Sequence, residues 1–168
     1  AAVSTNPGSG AGTQGTGGQV KFTGEITDAS CNVDSNTKGQ TVDLGKWAKS
    51  YFSGAGVEST KTAFHIKVED CPDSVKQVAV LFDGDKDALK PSLLAVKTGA
   101  TGVGVKLYEE NQTKQVVLGS VSDNHAITAG TSNNGTADLI FYADYEATGA
   151  TVTTGSANAV ADFNMIYN

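Results

Sequence analysis

Two cysteines carry the clearest chemistry in this chain. Cys31 and Cys71 have no Cys-x-x-Cys spacing, and the sequence holds only two histidines, too few beside them for a zinc site. The pair reads as one disulfide; the alternative is two free buried thiols in a reducing compartment. Closing a loop of about 40 residues stabilises a fold by roughly 4 kcal/mol on the chain-entropy account, and it implies an oxidising setting such as a periplasm or the cell exterior.

Three further patterns have the spacing of a site but lack its context. Gly10-Ala11-Gly12-Thr13-Gln14-Gly15 matches the G-x-G-x-x-G spacing that cradles a pyrophosphate at a strand-to-helix turn. Here no strand precedes it and a β pattern follows. Asp83-Gly84-Asp85-Lys86-Asp87 begins like a calcium loop, yet its sixth position would be Ala88 where glycine is needed and its twelfth Leu94 where glutamate is needed. It reads as a solvated turn. Neither His65 nor His125 has a recognisable nucleophile and acid around it, so no enzyme, cofactor or metal is expected. The patterns Asn111-Gln112-Thr113 and Asn134-Gly135-Thr136 fit glycosylation, a match common by chance.

The elements that could position any site are strands. Thr62 to Val68 alternates, with Phe64, Ile66 and Val68 inward and His65, Lys67 and Glu69 outward, ending at Cys71-Pro72. Val75 to Phe82 holds the apolar run Val78-Ala79-Val80-Leu81-Phe82, expected of a strand covered on both sides or central in a sandwich. Thr41 to Gly45, Val103 to Tyr108, Val116 to Leu118 and, more weakly, Asn124 to Thr128 read as further strands. Asp138 to Tyr145 places Leu139, Phe141, Ala143 and Tyr145 on one face; Ala157 to Tyr167 does the same for Ala159, Ala161, Phe163, Met165 and Tyr167. Ser35 to Gly39, Glu109 to Thr113 and Gly130 to Gly135 are turns or loops, Lys46 to Gly56 an aromatic-rich crossover loop in preference to one helical turn, and Pro91 to Val96 a helical or irregular connection. Eight or so short strands with Gly- and Asn-rich turns imply an antiparallel β-sandwich.

At 168 residues this is one domain, able to bury roughly 70% of its unfolded surface. Eighteen acidic against twelve basic residues, all lysine, leave a net charge of -6 and no guanidinium fork for phosphate, so nucleic acid is not an expected partner. No apolar run reaches a membrane span, and no charged-then-apolar leader is present, so a mature form beginning at Ala1 is expected.

One strand has no local neighbour. Gln19 to Ile26 alternates, with Val20, Phe22, Gly24 and Ile26 on one face, but the tract Ala1 to Gly18 before it is a Gly/Ser/Thr/Ala linker that cannot pair with it. Gly24 leaves a gap on the apolar face where a backbone or bulky side chain must come close. If the arm cannot reach its own core, the sandwich is one strand short, and a partner's strand is the known remedy.

These residues resemble the pilin subunits of chaperone-usher fimbriae, of the type 1 and P pilus kind, across nearly the whole chain. The matching marks are Val20-Lys21-Phe22-Thr23-Gly24-Glu25-Ile26 ahead of the first cysteine, Val42-Asp43-Leu44-Gly45, Phe64 to Cys71, Thr101-Gly102-Val103-Gly104-Val105 and Ala159 to Asn168. The last combines a penultimate tyrosine, alternating apolar residues and Gly155, fourteenth from the end.

The resemblance implies an incomplete immunoglobulin-like β-sandwich lacking its last strand, completed by a donor strand from another subunit. It implies residues 1–27 as an N-terminal extension and 28–168 as the pilin domain. A periplasmic chaperone would fill the groove first, gripping the terminal carboxylate of Asn168. At an outer-membrane usher the extension of the next subunit would replace it, in a fibre outside the cell. Val20, Phe22, Gly24 and Ile26 would be the donor residues, and Phe163, Met165 and Tyr167 would line the groove or core. The function implied is that of a structural fimbrial subunit; the alternative is a minor, adaptor or adhesive pilin that binds a host ligand. Upstream of Val20 this chain departs from the pattern, with Gly18, Thr16 and Gln14 at the face-aligned positions. Residues 1–18 are therefore expected to reach past the groove and pack on another subunit. Deleting residues 1–14 should lower the stability of assembled fibres, measured by thermal dissociation; unchanged fibres would refute that role.

Overall fold

A computed structural model of the chain describes residues 12–13 and 15–168. Most of the Gly-rich arm lies outside the described residues, including Gly10, Ala11 and Gln14 of the G-x-G-x-x-G spacing. Among the described residues eight strands form two antiparallel sheets. The larger contains β1 (Asn32–Val33), β2 (Thr62–Cys71), β7 (Gly135–Ala147), β5 (Val103–Tyr108) and β4 (Leu94–Ala95), in that order. The smaller runs β6 (His125–Ala126), β3 (Gln77–Asp83), β8 (Asp162–Tyr167).

The core follows the alternation of the strands. Ile66 and Val68 of β2, Leu139, Phe141 and Ala143 of β7 and Val105 and Leu107 of β5 meet Val78, Val80 and Phe82 of β3 in one buried cluster. Phe64, Phe82 and Phe141 pack ring against ring between the sheets, with centroids 5.0 to 5.9 Å apart. β3 is the central strand of its sheet, with Val78, Val80 and Phe82 buried on one face and, on the other, Ala79 buried and Leu81 half-buried.

Several expected elements differ. Thr41–Gly45 keeps its alternation, with Val42 and Leu44 half-buried, but forms no ladder. Side chains take the bonds a ladder would use: Gln40 Nε2 donates to the His65 carbonyl at 2.9 Å, and Asp43 Oδ1 accepts the Gly45 N–H at 2.9 Å, turning the chain. Val116–Leu118 is likewise irregular, held by one backbone bond to β5, although Val116 and Leu118 are buried. Leu94–Ala95 in the 91–96 connection is a short edge strand, β4. The 46–56 segment is a loop carrying one 3-10 turn, Lys49–Tyr51. The expected strands Asn124–Thr128 and Ala157–Tyr167 shrink to β6 and to β8, which begins at Asp162.

The inward parity of β2 would place Asp70 in the core after Phe64, Ile66 and Val68. A one-residue bulge prevents this. Glu69 and Asp70 together face Thr136, Asp70 adopts φ 53°, and the register shift turns Cys71 inward to 1% exposure. Cys31 precedes β1 on the neighbouring edge, and the two cysteines form a disulfide. The sulfur chemistry thus depends on a backbone irregularity that alternation alone does not contain.

On the outer face of the larger sheet the far end of β7 buries two carboxylates at positions where parity predicts solvent, Asp144 and Glu146. Tyr108 Oη donates to Asp144 Oδ2 at 2.8 Å, Lys106 binds Glu58 at 2.9 Å and Glu146 at 3.4 Å, and Lys90 caps the other oxygen of Glu146. Burial pushes the Asp144 carboxyl up to about 6, with the nearby Glu58 charge adding to it against Tyr108, Lys61 and Lys106. Burial also acts upward on Glu58, but the bonds and charges of Lys106, Tyr108 and Lys61 outweigh it and hold the group at about 2.

Cys31→Ser should reduce recovery of folded subunit from an oxidising compartment; full recovery, measured on periplasmic extracts, would argue against a structural bridge. For pH, Asp144 has a raised folded pKa, so its contribution is present at low pH and is lost as pH rises through about 6. Glu58 has a lowered one, so its contribution is present above 4.5 and is lost as pH falls through about 2. Urea unfolding should therefore show higher stability near pH 5 than at pH 7.5, by about 1–3 kcal/mol, and Asp144→Asn should flatten that difference.

A groove beside the last strand and an unpaired segment to fill one

β8 pairs with β3 along one side only, with Tyr167 opposite Val78, Met165 opposite Val80 and Phe163 opposite Phe82. Among the described residues its other side has no strand partner. The two strands share one inward face but not the same cover: Val78, Val80 and Phe82 are at most 3% exposed, while Phe163, Met165 and Tyr167 are only half-buried. Half of the backbone N–H and C=O groups of β8 point into the same opening, as on any sheet edge.

The opening is a groove of about 430 Å³ lined by Phe163, Asn164, Met165 and Tyr167 on one wall and by Val33, Lys38 and Gly39 on the other. The second wall comes from β1 and the turn after it, so the groove runs between the edges of the two sheets. Gly39 closes that turn at φ +66°, a conformation that favours glycine. Tyr167 ties the walls together: its hydroxyl donates to the Cys31 carbonyl at 3.1 Å, and burial raises its pKa. The disulfide, through Cys31, therefore anchors one wall of the groove to β2.

Asn168 extends the ladder beyond β8. Its N–H donates to the Gln77 carbonyl at 2.9 Å and its own backbone oxygen accepts from Lys76 and Gln77 at 2.7 and 3.0 Å. Gly155 does not line the groove. It sits at φ +146° in the approach to β8, where a Cβ would lie 2.9 Å from Ala100 N, so its lack of a side chain lets two loops pass in contact.

Among the described residues the segment Gln19–Ile26 pairs with nothing. Val20, Phe22 and Ile26 are 75%, 89% and 102% exposed, and no atom lies within 4 Å of where a Gly24 Cβ would stand. A strand exists only by virtue of its ladder, so the alternating segment forms none here. The structure does not bring Val20, Phe22, Gly24 and Ile26 together with Phe163, Met165 and Tyr167 within one chain. Sequence reasoning missed Val33, Lys38, Gly39 and Asn164. The turn at 35–39 was legible, but what it stands against was not.

Comparison with known proteins agrees with this geometry. The sequence profile described as fimbrial protein matches residues 20–168. The chain is 40% identical over 154 residues to the long polar fimbria protein A of Salmonella typhimurium, covering 89% of this chain and 83% of that protein. Its fold is similar to that of the P pilus rod subunit PapA, with a TM-score of 0.69 and 26% identity over 82% of this chain and 99% of that one. It is also similar to a subunit of a chaperone-usher pilus solved to explain rod uncoiling, with a TM-score of 0.68 and 27% identity over 91% and 96% of the two chains. With an immunoglobulin-like sandwich open along its last strand, this chain belongs to the fimbrial protein family, as a pilin of the chaperone-usher kind.

Proposed function

We propose that this chain is the repeating structural subunit of an extracellular adhesive fimbria, in which Val20–Ile26 of one subunit lies along β8 of its neighbour. One observation carries this reading: a single chain presents both halves of a strand-addition joint, an open apolar groove and an alternating apolar segment that has no partner among the described residues. A subunit at either end of a fibre needs only one half. A subunit with both can be added repeatedly.

In this reading residues 1–27 are the extension and 28–168 the pilin domain. Val20, Phe22 and Ile26 cover the Phe163, Met165 and Tyr167 row, while the missing side chain of Gly24 admits the groove wall. Burial of each large side chain contributes roughly 1.5 to 3 kcal/mol, and the added ladder satisfies the open edge of β8. A non-covalent fibre built this way persists. Before assembly the same groove needs cover, which a strand of a periplasmic chaperone supplies while it holds the terminal carboxylate of Asn168; exchange then takes place at an outer-membrane usher. The likeness to a rod subunit supports a place in the shaft, and no step of this function is catalytic.

The test is gel filtration and electron microscopy of the purified chain, intact and with residues 1–26 removed. SDS-resistant, heat-labile polymers or fibres are expected from the intact chain and none from the truncated one. A well-behaved monomer in both forms would sink the proposal.

A further inference from the structure

A second cleft lies where β5 leaves the larger sheet and the chain returns to β6. Glu109 continues the inward parity of Val103, Val105 and Leu107 and is 4% exposed. Its Oε1 accepts the Asp123 N–H at 3.0 Å, and its Oε2 is buried with no hydrogen-bond partner. His125 enters from β6 with its ring 6.0 Å from that of Phe141, and its Nε2 is likewise buried and unpaired. Both side chains line one cleft of about 420 Å³ with Glu110, Asn111, Asp123 and Asn124.

Buried polar atoms without partners are rare and need an explanation, an ion being one. Here an imidazole nitrogen and a carboxylate oxygen, both buried and unpaired, belong to residues that line one cleft, whose walls carry two further carboxylates. The nearby Lys114 ammonium pairs with one of these, Asp123 Oδ1 at 2.5 Å, and among the described residues forms no ion pair with Glu109 or Glu110. A cation fits the charge, and the mixed nitrogen and oxygen donor set suits a zinc-like ion better than calcium or magnesium, which take oxygen.

We propose that this cleft binds one divalent metal ion of the zinc class through Glu109 Oε2 and His125 Nε2, with the Asp123 carboxylate as third ligand. Among the described residues no three His, Cys, Asp or Glu side chains already form a ligating array, so the third ligand is recruited. Asp123 can be released, because its ion pair with Lys114 is exposed on both sides and contributes little. The Asp123 N–H already orients the Glu109 carboxylate through Oε1, as outer-shell donors do at metal sites. A bound ion would fasten the two ends of the 109–125 excursion to each other.

Calorimetric titration of the full chain with Zn²⁺, and separately with Ca²⁺, tests this. Expected are one saturable Zn²⁺ site per chain, at least tenfold weaker in Glu109→Gln and in His125→Gln, and no Ca²⁺ binding at the same concentrations. No saturable Zn²⁺ binding, Zn²⁺ binding unchanged in both variants, or equal affinity for Ca²⁺ would overturn the site. Should either variant fail to fold, the imidazole nitrogen resonances of the unsubstituted chain decide: Zn²⁺ should shift those of His125 and leave those of His65 in place, and an unmoved His125 overturns it.

Discussion

A β-strand with apolar side chains on one face and unpaired amides along one edge is unstable in water unless something covers both. β8 is such a strand, and the rest of the molecule is arranged around its open side. The contrast with the larger sheet is instructive. That sheet ends on β1 and β4, each only two residues long, which is the usual way of blunting an edge against association. The smaller sheet ends on six residues of β8 carrying a half-covered apolar row. With β6 also only two residues long, three of the four sheet edges are blunt and the fourth, β8, is long and half-covered.

A groove is useful only if its walls keep their distance. One wall is β8, held in register on β3 and continued by the backbone of Asn168. The other is β1 with its turn, which has only two residues of ladder on β2 and would be weak alone. The Cys31–Cys71 disulfide reinforces it at one end, and the Tyr167 hydroxyl bridges to the Cys31 carbonyl. Cystine, bulge and penultimate tyrosine thus act on one local problem, although they come from three distant parts of the chain.

The far end of the larger sheet is held differently. Lys106 and Tyr108 of β5, Asp144 and Glu146 of β7, and Glu58 of the segment before β2 satisfy most of one another's bonds beneath Lys90. Asp144 Oδ1 is the exception, buried without a partner. Breaking such a network by removing one member is costly, because it leaves an uncompensated buried charge. The network fastens the 57–61 and 86–90 segments over β7, so the covalent and the ionic reinforcements sit in different parts of the sandwich.

Much of this was legible in the amino-acid order, because alternation at a period of two depends only on which side chains avoid water. It placed β2, β3, β5 and β7, the inward rows from Phe64 to Val68 and from Leu139 to Tyr145, and the orphaned segment Val20–Ile26. It misjudged Thr41–Gly45 and Val116–Leu118, which alternate or are apolar yet have their amides bonded to side chains or to a single carbonyl; a ladder is a property of two segments, and one sequence window describes one. It could not show that a bulge at Asp70 turns Cys71 inward, that Asp144 and Glu146 are buried on the outward face, or that Glu109 and His125 meet at one cleft. The sequence determined which residues seek cover; only the folded chain decided which of them find it internally, since that depends on distances between strands far apart in the chain.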